Sequence, residues 1–343
     1  MIMMYSLDEI GLLPSSTPVN INSRQECCPF NEDGNLPIFV APMTSVLDFS
    51  NYEKFKRWNV IPIIPRRLED LESRKRMCSN VWCAFSLSEF RKTFCDEADK
   101  NDLPKDTKLY VLIDMANGHM QSLYDAVKLA KSLWSNLVIM IGNIAHPDMY
   151  WYAYLAGVDY IRVGIGTGSV CTTGVKTGIH ASTVWLLEGI KKVKEEILAG
   201  AKLVNPLPKV IADGGLSTID RMIKCLALGA DYVMVGKLFA QCKEACGKTK
   251  FSFSNTAIIT SEERLYYGMA SKKGQADISG VVKPTEGIEI WVPVNSTLEK
   301  FVSEFSVALR SAMSYTGCKS LEEFKNNVKY EVMSPSERNA YYK

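Results

Sequence analysis

Short apolar runs, each ended by glycine, proline or polar residues, recur along the first two thirds of the chain. They cover Leu36–Met43, Val60–Ile64, Val81–Leu87, Leu109–Ala116, Leu137–Ile144, Asp159–Ile165, Val210–Gly215 and Ala230–Gly236. Runs this short and this continuously apolar suit strands buried on both faces. The stretches between them carry apolar residues at helical spacing, and helices are predicted over Gln121–Trp134, Asp148–Ala156, Val184–Leu198 and Ser217–Leu228. A strand-then-helix unit repeated in this way predicts an α/β protein with a parallel sheet closed into a (β/α)8 barrel. A doubly wound open sheet is the alternative. In the barrel, Asp114, Asn117, Asn143, the loop Gly166 to Cys171, Asp213-Gly214-Gly215 and Gly236 all fall at strand C-ends. That end is where such barrels carry their active sites.

Beyond Gly236 the alternation stops. Phe251–Ser271 reads as an extended excursion broken at Tyr266-Tyr267-Gly268-Met269, and Gly280–Pro293 as a loop containing Thr285-Glu286-Gly287. Thr297–Tyr315 reads as a long amphipathic helix that closes the fold, capped by Asn295 or Ser296. Residues 1–343 are expected to form one barrel domain, with strands over about 36–237 and a flap and closing helix over about 250–330.

Composition narrows the function classes. The chain has 343 residues, 47% hydrophobic and 23% charged, with a formal charge of only +2. That is an ordinary globular balance without the basic footprint of a nucleic-acid binder. No apolar run approaches the roughly 18 residues of a bilayer span. Met1-Ile2-Met3-Met4 is too short for the apolar region of a signal peptide. Ten scattered cysteines and three distant histidines fit neither a disulfide framework nor a common zinc pattern. A reducing, cytoplasmic setting is expected.

The candidate chemistry sits in Val163-Gly164-Ile165-Gly166-Thr167-Gly168-Ser169-Val170-Cys171-Thr172-Thr173-Gly174. Following the sixth strand, this loop puts a thiol at the barrel mouth, where it could attack an electrophilic carbon while Thr173 and a distant acid move protons. A glycine turn that happens to hold a buried thiol is the plainer reading. Carbonyls around Gly166 and Gly168 could also coordinate a hard cation. Asp213-Gly214-Gly215 and Val235-Gly236-Lys237 follow the seventh and eighth strands, the usual barrel phosphate position, and Lys237 adds a positive charge there. Asp114 stands inside an apolar run and needs a partner, because an unpaired buried charge is costly. Glu286 looks, from spacing alone, like any surface carboxylate.

Taken together, these motifs resemble the IMP dehydrogenase and GMP reductase family. Val163 to Thr173 resembles the family's catalytic loop. Ile211 to Gly215, Val233 to Gly236 and Tyr266 to Met269 match three further motifs in order, with Leu36 to Val46, Asp114 to Gly118, Gly142-Asn143 and Leu309 to Met313 also corresponding. The resemblance implies a (β/α)8 barrel in which Cys171 attacks C2 of a purine nucleoside monophosphate. It assigns Ser169, Asp213, Gly215, Gly236 and Tyr266 to the 5′-phosphate and Met43 and Met269 to base or ribose, with Gly214, Lys237, Gly268 and Lys283 also in the substrate site. It sets Asp114, Asn143 and Arg162 on the nicotinamide side of NADPH. Carbonyls of Gly166, Gly168 and Cys171 would hold a potassium ion, and a homotetramer is implied.

Only about fifteen residues separate Ile64 from Val81, so the regulatory insertion of the dehydrogenases is absent there. The segment from Ser271 to Glu286 is short and lacks their Arg-Tyr pair. Both features resemble GMP reductase, whose Thr–Glu pair aligns with Thr173 and Glu286. The resemblance therefore implies reductive deamination of GMP to IMP and ammonia. A compact IMP dehydrogenase-like enzyme, an enzyme of a related purine (deoxy)nucleotide and a non-enzymatic nucleotide-binding protein are the alternatives. Several positions depart from the family: Thr44 follows Met43 in place of an aspartate, Ala270 replaces a serine, and Lys283 replaces an arginine that helps hold the nucleotide.

Overall fold

After a short strand β1 (Ile10–Leu12), the apolar runs become eight parallel strands. These are β2 (Ile38–Val40), β3 (Ile63–Ile64), β4 (Trp82–Phe85), β5 (Leu109–Asp114), β6 (Leu137–Ile144), β7 (Tyr160–Val163), β8 (Lys209–Asp213) and β9 (Tyr232–Val235). They pair in the order β2-β9-β8-β7-β6-β5-β4-β3. Ile61 closes the ring: its carbonyl accepts from the Val40 N–H at 2.9 Å and its own N–H donates to the Ile38 carbonyl at 2.9 Å. The result is a (β/α)8 barrel, not the open sheet. The computed structural model describes residues 5–67, 70–96, 103–200, 202–253, 259–280 and 287–342.

Most observed strands are shorter than the apolar runs that predict them. The runs continue past the last ladder hydrogen bond because their C-terminal residues already turn out into the mouth loops. On the outside lie α1 (Tyr52–Lys56), α2 (Leu71–Met77), α3 (Leu87–Phe94), α4 (Gln121–Leu133), α5 (Met149–Ala156), α6 (Thr173–Thr177), α7 (Thr183–Ala199), α8 (Ile219–Ala227) and α9 (Lys237–Ala240). The four helices predicted by periodicity agree with α4, α5, α7 and α8 to within two residues.

The N-terminal end of the barrel is plugged by aromatic rings. Phe39 packs edge-on to Trp82 and Tyr232 at centroid distances of 5.8 and 5.1 Å, and Trp82 meets Tyr160 at 5.1 Å. Edge-to-face contacts of this kind add about 0.5–1.5 kcal/mol each beyond the area they bury. With the floor closed by apolar rings, the polar residues are left to the opposite, open end.

The part after β9 forms its own small layer. Strands β10 (Thr249–Phe253), β11 (Ile259–Tyr267) and β12 (Glu289–Pro293) make an antiparallel sheet, with α10 (Lys272–Ser279) between β11 and β12. The loop expected over Gly280–Pro293 is thus corrected at its end, where β12 pairs with β11 from Glu289↔Tyr267 to Pro293↔Glu263. Proline and glycine at the ends of this segment obscured the strand between them. Helix α10 went unpredicted because Gly274 interrupts it and it has little apolar periodicity. The closing helix, α11 (Leu298–Thr316), is capped by Thr297, whose hydroxyl accepts from the Lys300 N–H, rather than by Asn295 or Ser296. Leu298, Phe301, Phe305, Leu309 and Met313 form its buried stripe. Helix α12 (Leu321–Asn327) follows, then β13 (Tyr330–Val332), which pairs antiparallel with β1, and α13 (Pro335–Tyr341). Among the described residues, no helix is long and apolar enough to cross a membrane.

Candidate active site

The strand C-ends converge on a cavity of about 590 Å³. Met43, Asp114, Asn143, Arg162, Gly166, Gly168, Ser169, Cys171, Thr173, Asp213, Gly214, Gly215, Gly236, Lys237, Tyr266, Gly268 and Met269 all line it. The sequence reading had scattered these over more than two hundred residues. Glu286 and Lys283 lie outside the described residues.

The thiol loop runs from the end of β7 to α6. Cys171 Sγ lies 3.3 Å from Thr173 Oγ1, and the Cys171 N–H donates to the Gly168 carbonyl at 3.0 Å. Gly287 pairs with Cys171 as an isolated antiparallel bridge, and the Ile288 N–H donates to the Val170 carbonyl at 3.1 Å. The chain directly after Glu286 is therefore zipped to the thiol loop. No side chain fits at Gly287, where a Cβ would lie 2.7 Å from the Ser271 nitrogen.

The opposite wall is a glycine turn. Gly214 and Gly215 have φ of +93° and +74°, which only glycine adopts without strain. Arg221 on α8 supports the turn from behind: it donates to the Gly215 carbonyl at 2.8 Å and to Ser217 Oγ at 3.0 Å. It is itself held by Asp8, whose carboxylate accepts from Nε at 2.8 Å. Lys237, at the start of α9, carries no ion pair among the described residues. The Tyr266 hydroxyl is buried beside Ser169; burial and the nearby Asp213 charge push its pKa up.

Between the two walls lies a charged floor. Arg162 projects inward from β7 and donates to Asp114 Oδ1 at 2.7 Å and to Asp213 Oδ2 at 2.8 Å. Asn143 Nδ2 donates to the same Asp213 oxygen at 2.8 Å and to the Gly164 carbonyl at 2.7 Å. Arg66, at the end of β3, approaches Asp114 Oδ2 at 3.4 Å. Burial alone would raise the Asp114 pKa, but the Arg162 and Arg66 guanidiniums outweigh it and hold the carboxyl below its ordinary value. Burial acts to lower Arg162, yet the Asp213 and Asp114 charges raise it above the usual arginine value. Two carboxylates thus face two guanidiniums, and the floor is close to neutral. Among the described residues of the cavity wall, that leaves Lys237 as the cation without a carboxylate partner.

Arg66, Arg221, Gln275 and Ile278 line the same cavity and escaped the sequence reading. Arg66 had a usable signal, since Val60–Ile64 ends two residues before it and strand C-ends were already suspect. Gln275 and Ile278 had none, because α10 itself was not expected. Among the described residues, no cluster of three or more His, Cys, Asp or Glu could hold a metal ion.

A parallel eight-stranded barrel whose mouth joins a thiol loop to a glycine turn belongs to the (β/α)8 class, which carries its active sites at this end. Comparison with known proteins narrows the class. The profile of the IMP dehydrogenase / GMP reductase domain matches residues 96–339. The chain is 29% identical over 343 residues to a GMP reductase of Helicobacter pylori (strain ATCC 700392 / 26695), covering 97% of each chain. It is 30% identical over 337 residues to a GMP reductase of Streptococcus pyogenes serotype M5 (strain Manfredo), covering 97% of this chain and 96% of that protein. The chain belongs to the IMP dehydrogenase / GMP reductase family. Both names in that pair denote oxidoreductases, and the chain is an enzyme of that reaction class.

Proposed function

We propose that the protein reduces GMP to IMP and ammonia with NADPH. The observation that carries this reading is the Cys171–Thr173 pair, 3.3 Å apart, in one cavity with the glycine cradle and zipped to the residue after Glu286. A purine nucleotide anchored by its phosphate at Gly215, Gly236 and Lys237 turns its base toward the thiol. Asp213 suits the ribose better than the phosphate, because a carboxylate accepts hydrogen bonds and repels an anion. Cys171 Sγ adds to C2 of the base, the C2–N bond breaks, and ammonia leaves with a proton passed through Thr173 and Glu286. The enzyme is then joined to the purine as a thioimidate. A bound NADPH would supply the hydride that C2 requires; Cys171 then leaves C2 as the C–S bond breaks, and IMP is released.

Asp114, Asn143 and Arg162 fit the nicotinamide side as a polar floor. Asn143 spends its two N–H groups on Gly164 and Asp213, which leaves its carbonyl oxygen to accept from a carboxamide. Potassium fits the thiol loop in donor chemistry, since Gly166, Gly168 and Cys171 offer carbonyl oxygens. The Thr172 hydroxyl beside them is buried without a hydrogen-bond partner among the described residues, which suits a further ligand. Implied but separate are a homotetramer and a cytoplasmic setting, which rest on resemblance and composition.

The test incubates the purified protein with GMP and NADPH and follows near-UV absorbance and free ammonia. Equimolar loss of NADPH and release of ammonia are expected, both abolished in Cys171→Ala. Absence of both products under these conditions refutes the reading. Reduction of NAD with IMP instead assigns the dehydrogenase reaction.

A further inference from the structure

Thr44, which follows Met43 in place of the family's aspartate, is 2% exposed and meets a carboxylate from an unexpected direction. Its hydroxyl donates to Asp277 Oδ2 on α10 at 2.7 Å. The Tyr267 hydroxyl, at the end of β11, donates to the same oxygen at 2.8 Å. Thus two hydroxyls from two elements grip one carboxylate on a third. A second carboxylate at position 44 would stand within hydrogen-bond range of the first, and the Arg67 guanidinium nearby is directed at the Thr44 carbonyl, to which it donates at 3.4 Å. The side chains at 44 and 277 are therefore interdependent: the charge sits on the helix, and a donor must sit on the loop after β2.

Helix α10 is held at its first turn by Ser271 Oγ, which accepts from the Gly274 N–H at 3.1 Å, and by Glu289 Oε1, which accepts from the Lys273 N–H at 3.2 Å. Its N-terminus is seated against β11, where a Cβ on Gly274 would lie 2.6 Å from the Gly268 carbonyl oxygen. Its stretch from Gln275 to Ser279 forms part of the cavity wall, with Gln275, Ile278 and Ser279 facing in. Asp277 ties that stretch to the loop after β2 and to the end of β11, and Thr44 also stands 3.9 Å from Met269 Sδ, another wall residue.

We propose that Asp277 is a positioning residue. It latches α10 through Thr44 and Tyr267, so that Gln275, Ile278 and Ser279 close on the base of the nucleotide. The role given to the base rests on the purine nucleotide reading above; the latch itself does not. Because Cys171 and Thr173 sit on a separate loop, loosening the latch weakens nucleotide binding more than the chemical step.

The experiment compares the unaltered enzyme with Thr44→Asp, Asp277→Thr and the exchanged pair carrying both. Steady-state kinetics with GMP and NADPH give KM and kcat, and hydrogen exchange of the α10 amides is read without ligand. Each single substitution should raise KM for GMP at least about fivefold, with kcat within about twofold, and speed α10 exchange about tenfold. The exchanged pair should return both to within about twofold of the original. Tyr267→Phe, which removes one hydroxyl and no charge, should fall between, and it keeps the test open if Thr44→Asp does not fold. Unchanged α10 exchange in the single variants overturns the latch, as does an exchanged pair no better than the worse single. A fall in kcat with KM unchanged overturns the positioning role. If the unaltered enzyme neither consumes NADPH with GMP nor shows protection by GMP at the cavity, the functional reading fails by itself. The exchange comparison then still decides the latch.

Discussion

Replacing Arg162 by methionine removes the one guanidinium that bridges both floor carboxylates while keeping most of its apolar bulk. Asp114 and Asp213, with side chains only 14% and 16% exposed, are then left with Arg66 at 3.4 Å from Asp114 as the nearest cation of the former group. Removing one partner of a buried ion pair costs about 3–5 kcal/mol, because the surviving charge stays desolvated. With ~2.1 cal/mol/K of unfolding entropy per residue over 343 residues, that lowers Tm by about 4–7 °C. The pH dependence sharpens the test. In the unaltered protein the Asp114 pKa is depressed, so its stabilising contribution is complete above the unfolded value of about 3.9 and is lost as pH falls through the folded one. In the variant, burial acts on Asp114 with Arg162 gone, its pKa rises, and ionising it costs stability as pH increases. The Tm deficit should therefore be largest near neutrality and shrink toward pH ~4. Thermal unfolding followed by circular dichroism at about pH 7.5 and about pH 4.5 measures it. A deficit below about 1 °C, or one equal at both pH values, would refute the electrostatic account of the floor.

Three further perturbations probe other parts of the molecule. Lys237→Met should raise KM for a nucleoside monophosphate about tenfold, the worth of one charge-assisted hydrogen bond, and leave kcat within about twofold; an unchanged KM would remove Lys237 from the phosphate side. Gly164→Ala forces an L side chain to φ +126°, with its Cβ driven into the Asp213 carbonyl. It should cost at least about 1–3 kcal/mol, read in urea unfolding, and depress turnover by shifting the thiol loop; a variant of ordinary stability and rate would contradict this. Asp231→Ala, at the opposite end of the barrel, strips Lys194, Lys325 and the Val210 N–H of their shared acceptor. Stability should fall by about 3 kcal/mol with turnover at low temperature unchanged, since that face of a barrel serves stability.

What could be read from the chain alone was governed by local rules. Buried parallel strands must be apolar on both faces, so β5, β6 and β9 announce themselves in the one-dimensional pattern, and β6 agrees with Leu137–Ile144 to the residue. The glycine turns and Cys171 were legible because backbone geometry and thiol chemistry restrict which residues can stand there. Helix α10 and strand β12 were not legible, because their place depends on the sheet they pack against rather than on periodicity of their own. The same holds for the aromatic plug: Phe39, Trp82, Tyr160 and Tyr232 come from four strands and look like ordinary strand residues until the barrel closes.

The site divides in the same way. Sequence determined which residue types reach the mouth, since a strand's last position belongs to the strand and fixes its end of the barrel. Tertiary structure alone decided their partners. Asp114 needed a cation, and nothing local names Arg162, forty-eight residues later, as that cation. Asp277 carries no signal in the sequence until the fold brings Thr44, 233 residues earlier, against it. Electrostatic and hydrogen-bond partners are chosen by distance in space, and only closure of the ring sets those distances.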